Sequence, residues 1–376
     1  VRAFFQSDIH VVPTAGGEPR RLTFDNYGQG GLDWTPDGRD IVFSSTRGGR
    51  AGFWSLWRVA ASGGEPEPLD VGEEAEYPTL SRKGSRLAYL KRKARDEIWR
   101  AGGPSAAEED RAPTPLISMG LFHNTPHYSP DGRKIVLASH GSQRTDTMEL
   151  WVCDGDGSNP QQLTFLEAPL TVSGRWSPDG QQIVFASTRE GSYDVYVISA
   201  TGGFPRRLTR EESIETAPSW SRDGRWIYFG SNRTGAWELY RVSAEGGDAV
   251  QLTTNGGTQA RESSDRRFLY FTKSYFGTGP RGIWRMPVEG GEETRIHDRG
   301  WFLRWELLEH GICYLDLGGE TATLELLDFA TGGVRRLAAL EKRPFAFGFS
   351  VSPDERWVLY QVLELENDVV LVDNFR

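Results

Sequence analysis

Several residues in this chain are of types that do chemistry, and their spacing decides whether they can. Asp37, Asp131, Asp179, Asp223 and Asp354 each stand in a Pro-Asp-Gly turn or a near relative of one. Paired carboxylates can exchange protons with a substrate. A position that returns in every unit is better explained as turn chemistry, in which Asp caps its own turn and Gly takes the positive φ. The acids Asp8, Glu97, Glu149, Asp194 and Glu238 and the arginines Arg47, Arg189 and Arg233 recur in the same way. They are expected to pair within or between repeats. Asp154-Gly155-Asp156-Gly157 lacks the further oxygen ligands of a calcium loop. His123 and His127 are four apart, but Pro126 lies between them and the segment reads as a loop entering a strand. The helical spacing that would put both on one zinc does not apply. No Gly-x-Ser-x-Gly elbow occurs, and no Gly-rich loop opens a helix. Gly348-Phe349-Ser350-Val351-Ser352 comes nearest, and it aligns with an ordinary inner strand. A non-catalytic chain with no metal and no cofactor is expected.

The elements that carry these residues form a repeat. Trp176-Ser177-Pro178-Asp179-Gly180 returns as Trp34-Thr35-Pro36-Asp37-Gly38, Tyr128-Ser129-Pro130-Asp131-Gly132 and Trp220-Ser221-Arg222-Asp223-Gly224, with weaker copies at 80–84, 262–266 and 351–355. After each turn comes a short β-branched or aromatic run such as Ile183-Val184-Phe185 or Ile227-Tyr228-Phe229. A polar stretch and a second alternating run follow (Asp194-Val195-Tyr196-Val197-Ile198), then a Gly-Gly turn and a short run ending in Leu-Thr. Such runs bounded by turn residues read as strands. Each repeat therefore has four strands, with the signature Trp on the first.

Four-stranded antiparallel units at a period of about 40–50 residues are the signature of β-propeller blades. The chain is read as a single all-β domain over 1–376, a closed propeller of four-stranded antiparallel blades. Repeats are placed at 32–76, 77–125, 126–172, 173–217, 218–260, 261–302 and 303–347. An eighth, closing blade is shared by 1–31 and 348–376, so strands from both termini would remove the open sheet edges. Asp8–Val12 and Asp368–Val372 both resemble a third strand, and seven or nine blades also fit.

The 376 residues suffice for one large propeller. A net charge of −9 argues against non-specific nucleic-acid binding. Cys153 and Cys313 lie in distant repeats and are expected buried and free. No stretch is long and apolar enough to span a membrane, and no signal-peptide pattern opens the chain. The chain opens with Val1 rather than Met, so a mature or excised portion of a longer protein is expected.

Ser-Pro-Asp-Gly, Ser-x-Arg-x-Gly, Asp-x-Tyr and Gly-Gly-x-x-x-x-Leu-Thr together resemble the PD40, or TolB-like, class of WD40-like propeller repeats over nearly the whole chain. The segments 221–228, 282–288 and 367–375 further resemble the C-terminal propeller of CadC-like winged-helix bacterial transcriptional regulators. The resemblance implies a binding or sensing propeller, either the sensory or protein-interaction domain of such a regulator or a TolB-like envelope scaffold. A third reading is the gating propeller of a serine peptidase without its hydrolase domain. A protein or small anionic ligand is the expected partner, with no nucleic acid, no membrane insertion and a monomeric chain; the bacterial periplasm is favoured over the cytoplasm.

One position varies between repeats as scaffold positions do not. If the signature Trp packs between blades, alternation turns its predecessor toward the axis. The aligned residues are Asp33, Thr79, His127, Arg175, Ser219, Arg261, Arg304 and Ser350. Three arginines against one carboxylate would make a cationic ring that draws an anionic group to the channel. The loops between second and third strands carry Trp54, Tyr193, Trp237 and Tyr275, aromatics of the kind that protein-recognition surfaces favour.

Overall fold

A computed structural model describes residues 7–24, 27–47, 54–71, 74–82, 85–118, 123–141, 147–275 and 279–375. Apart from one 3-10 turn at Glu108–Asp110, the regular elements described are β-strands. They form six antiparallel sheets of four strands, one of five and one of two. The chain is all-β, and each four-stranded sheet follows sequence order, as consecutive strands of one repeat should.

Local chemistry accounts for the repeat. In the 173–217 repeat Ser177 Oγ donates to Asp179 Oδ1 at 2.5 Å, and the same oxygen accepts from Gln181 N at 3.0 Å. Gly180 takes φ +70°, which an L side chain resists. The same pair of bonds holds Thr35–Asp37, Ser129–Asp131, Ser221–Asp223, Ser263–Asp265 and Ser352–Asp354. These bonds depress the carboxyls of Asp37, Asp131, Asp179, Asp223 and Asp265, the last two to about 2. The acid that opens the third strand caps the fourth: Asp194 accepts from Thr209 Oγ1 at 3.2 Å and pairs with Arg207 at 2.7 Å. Glu238 accepts from Thr253 in the same way, at 2.6 Å.

The chain divides into two compact units, 96–143 with 147–363, and 2–95 with 144–146 and 364–376. In the larger unit the innermost strands are His123–Tyr128, Thr171–Trp176, Glu215–Trp220, Ala260–Glu262, Trp305–Leu307 and Pro344–Val351. Each packs on the next, and the last packs on the first. At that last junction Gly348 has φ +109°, and a Cβ there would lie 2.6 Å from Thr125 N. Apolar side chains fill the spaces between successive sheets: Val136, Leu150 and Trp176 in one, Val184, Phe229 and Tyr240 in the next. In the smaller unit Ile9, Leu22, Ile41 and Phe43 form one core, and Val42, Leu56, Leu87 and Tyr89 another.

Strand pairing departs from the expected closing blade. Pro344–Val351 and Trp357–Asp373 do not pair with the N-terminal strands; Trp357–Asp373 pairs with Arg86–Gly102, and His10–Val11 with Arg20–Arg21 forms the two-stranded sheet. Arg86–Gly102 and Trp357–Asp373 are single strands of 17 residues each where a hairpin was expected. Other repeats turn at this point on Gly191 or Gly235, at φ +101° and +88°. Segments 91–96 and 363–368 contain neither Gly nor Pro. The two strands carry opposite charges, and exposed pairs, Arg86–Asp373 at 2.7 Å and Lys93–Asp368 at 3.6 Å, lie across them.

Candidate functional site

The innermost strands of the larger unit enclose a cavity of about 560 Å³ at the end that carries the Ser-Pro-Asp-Gly turns. Pro130, Pro178, Pro353, Trp176, Trp220 and Leu308 give it apolar walls. Alternation turns His127, Arg175, Ser219 and Arg261 into it, as expected from the residue preceding the signature aromatic. Ser350 lies on the adjoining strand, where its Oγ accepts from Tyr128 N at 3.2 Å. Asp33 and Thr79 belong to the smaller unit. There Asp33 Oδ1 accepts from Trp34 N at 2.9 Å and Oδ2 from Leu80 N at 2.8 Å, and Thr79 is exposed.

Arg304 does not hold the position assigned to it. Register decides this: Arg175 pairs with Val184 and Arg261 with Tyr270, and the equivalent residue opposite Cys313 is Glu306. Seven positions separate Trp176 from Ile183, but five separate Leu307 from Ile312, because this repeat lacks the Pro-Asp-Gly turn. Counting back from Ile312-Cys313-Tyr314 through that shorter turn would have found Glu306. Arg304 instead lies over the Trp301 ring at 5.2 Å; burial and the neighbouring Arg343 and Arg281 push its guanidinium down to about 10.

The presence of Glu306 where Arg304 was expected changes the electrostatics. Arg175 Nη2 lies 2.6 Å from Glu306 Oε1, and Arg261 Nε lies 3.0 Å from Oε2. All three side chains are nearly buried, at 13%, 9% and 10% exposure for Arg175, Arg261 and Glu306. Burial pushes the Glu306 carboxyl up, but Arg175 and Arg261 outweigh it and hold it at about 2. Burial, aided by Arg175, pushes the His127 imidazole well below its ordinary value, so it is neutral at pH 7. Its Nδ1 is buried with no hydrogen-bond partner. The floor thus carries two guanidiniums against one carboxylate. In the walls Arg222 faces Glu262, Glu309 and Glu355, and the cationic excess expected of the whole channel is confined to its floor.

The aromatic loops turn inward. Tyr275 is buried, with its ring 3.9 Å from that of Trp237 and edge-on to Phe302 at 5.0 Å. Tyr193 and Trp54 are half-buried. Cys153 and Cys313 are buried and free. Among the described residues no three His, Cys, Asp or Glu side chains cluster as metal ligands, and no helix is long and apolar enough to cross a membrane.

The family profile described as the TolB beta propeller domain matches residues 5–169 and 167–300. The chain belongs to this family. An uncharacterized protein of Agrobacterium fabrum is 27% identical over 193 residues, 48% of this chain and 62% of that protein. The Tol-Pal system protein TolB of Anaeromyxobacter dehalogenans is 31% identical over 104 residues, 28% of this chain and 23% of its own length. An uncharacterized peptidase, YuxL of Bacillus subtilis, is 36% identical over 88 residues, 22% of this chain and 13% of its own length. The chain thus spans less than two thirds of each of these relatives. A structure described as TolB from Agrobacterium tumefaciens superposes with a TM-score of 0.57 at 22% identity, over 72% of this chain and 99% of that one. At that identity the likeness shows the fold.

Proposed function

We propose that the chain is a non-catalytic, protein-binding propeller of the TolB kind. In this reading it is a monomeric scaffold of the bacterial periplasm, and a segment of a partner protein enters the cavity of the larger unit. The observation that carries the reading is the cavity floor, where Arg175 and Arg261 share Glu306 and retain one net positive charge beneath apolar walls. Prearranged guanidiniums beneath apolar walls suit a carboxylate, whether a chain terminus, an acidic side chain or a small anion. The ring of innermost strands in the larger unit supports reading that unit as a propeller of six repeats, closed without the N-terminal strands.

The test uses two peptides, Ala-Ala-Ala-Asp with a free C-terminus and its amide. The Trp176 and Trp220 indoles line the cavity and report binding by fluorescence. The free acid should bind more tightly than the amide, and Arg261→Ala should remove that preference. Equal binding of both peptides would overturn the anionic part of the reading. Labelling of the chain by a fluorophosphonate would overturn the non-catalytic part.

The peptidase likeness supports a second reading, in which the same cavity gates access to a hydrolase. A hydrolase domain encoded in frame beyond Arg376 would favour it. The relatives bear TolB and peptidase names, so the regulator reading rests on the sequence resemblance alone.

A further inference from the structure

Three arginines meet in the larger unit at the end where its innermost strands begin. Arg304 leads into Trp305–Leu307, Arg343 into Pro344–Val351 and Arg281 into Ile283–Pro287. The first and third strands of an antiparallel sheet start at the same end, so all three arginines share one face. Residues 301–304 make a turn in which Arg304 N donates to Trp301 O at 3.1 Å. The Arg304 guanidinium then lies over the Trp301 ring at 5.2 Å, and Arg281 lies over the same ring at 4.4 Å. Trp301 is half-buried and packs, with Trp237, on the cluster of Tyr275, Phe302 and Leu303. The aromatic loops thus form the base on which these cations sit.

Like charges gathered in this way disfavour one another. Burial lowers the Arg304 guanidinium, and Arg343 and Arg281 lower it further. Other arginines of the chain find acids: Arg21 pairs with Asp8, Arg207 with Asp194 and Arg233 with Glu215. Among the described residues neither Arg281 nor Arg343 has a carboxylate within ion-pair distance, and both are exposed. Arg343 donates Nη1 to Gly319 O at 3.3 Å and Nη2 to Leu317 O at 2.7 Å, which fixes its guanidinium and leaves its other N–H groups to solvent. The Arg281 guanidinium makes no hydrogen bond to a described residue; its contact is the Trp301 ring. In a chain of net charge −9 such a patch runs against the overall balance. Forked donors that converge from three sides match a phosphoryl group, which carries a charge of about −1.5 to −2 at neutral pH and three acceptor oxygens. A carboxylate offers less charge and fewer oxygens.

We infer that Arg281, Arg304 and Arg343, set around Trp301, form a binding site for a phosphate monoester. Arg304 and Arg343 are held in place by the fold, and Arg281 supplies the N–H groups that no described residue uses. None of these residues lines the cavity at the Ser-Pro-Asp-Gly end. The site is therefore separate from that cavity and independent of its proposed function. The monoester is either a soluble compound or the headgroup of a lipid, since both present the same chemistry.

The probe is glycerol phosphate, titrated into the 376-residue chain by calorimetry at neutral pH. Saturable one-to-one binding is expected, tighter than that of dimethyl phosphate, a diester with a single charge, or of acetate. Arg281→Ala and Arg343→Ala should each weaken it about tenfold, the loss expected for hydrogen bonds to a charged group. Both side chains are exposed, so the melting temperature should hold, and binding of Ala-Ala-Ala-Asp at the cavity should not change. Vesicles of phosphatidylcholine with phosphatidic acid distinguish the sources. Vesicle binding that glycerol phosphate displaces supports the site with a lipid headgroup as its ligand; binding of the soluble ester alone supports it with a soluble compound. No saturable binding of the ester would overturn the proposal. So would equal binding of monoester and diester, or a folded Arg281→Ala variant that binds as tightly as the parent chain, since either result would reduce the patch to general electrostatic attraction.

Discussion

The Arg175 guanidinium meets the Glu306 carboxylate at 2.6 Å, although 131 positions separate them in the chain. With Arg261 on the other carboxylate oxygen, one acid compensates two buried cations. Removing one partner from a buried pair leaves an uncompensated charge, which costs about 3–5 kcal/mol. Glu306→Ala should therefore lower unfolding stability by roughly that amount, measured in urea. Arg304→Gln, outside this cluster, should leave peptide binding at the cavity unchanged.

The acid side of the stability profile should carry two opposite contributions. Glu306 is held at about 2, below its ordinary value. Its contribution is present above the unfolded pKa and is lost as pH falls from about 4 toward 2. Burial raises Asp194 to about 6 despite Arg207. The folded state then binds that proton more readily than the unfolded chain, so this contribution is full below about 4 and is lost as pH rises to about 6. Urea titrations from pH 3 to 7 should show that Asp194→Asn flattens the fall between pH 4 and 6 and leaves the low-pH limb in place.

Gly348 combines φ +109° with a Cβ position 2.6 Å from both Thr125 N and Pro126 Cδ. Backbone strain of this kind costs on the order of 1–3 kcal/mol. Gly348→Ala should lower the melting temperature by several degrees. Gly191→Ala, at a similar φ but with nothing within 4 Å, should cost less.

Both thiols should be silent in the folded chain. Burial pushes Cys153 up to about 12 and raises Cys313 further. The thiolate is the reactive species, so Ellman's reagent should modify neither until denaturant is added and then both. Fast reaction of one thiol in buffer would show that its repeat opens locally.

Much of the architecture is legible along the chain. The Ser-Pro-Asp-Gly turn, the Gly-Gly hairpin and the Leu-Thr end each depend on residues a few positions apart. Ser177, Asp179 and Gly180 make the turn wherever the triplet falls. Period-2 alternation likewise assigns His127, Arg175 and Arg261 to one inward face, and all three line one cavity. Arg304 is misplaced by the same counting because the 303–347 repeat has a turn two residues shorter, and a slip of two keeps the same face while changing the residue. The aromatics Trp237 and Tyr275 read as exposed because nothing local to them names Phe302, the ring that Tyr275 packs against.

The repeat, its four strands and the chemistry of its turns follow from the amino-acid order alone, since each is settled by backbone preference and hydrogen bonds within about 45 residues. Which half-repeats pair is settled only in three dimensions. Backbone ladders are the same in every copy, so the hydrogen-bond pattern of a half-repeat does not by itself name its partner. Arg86–Gly102 takes Trp357–Asp373 as its neighbour from the far end of the chain, a pairing that no local pattern announces.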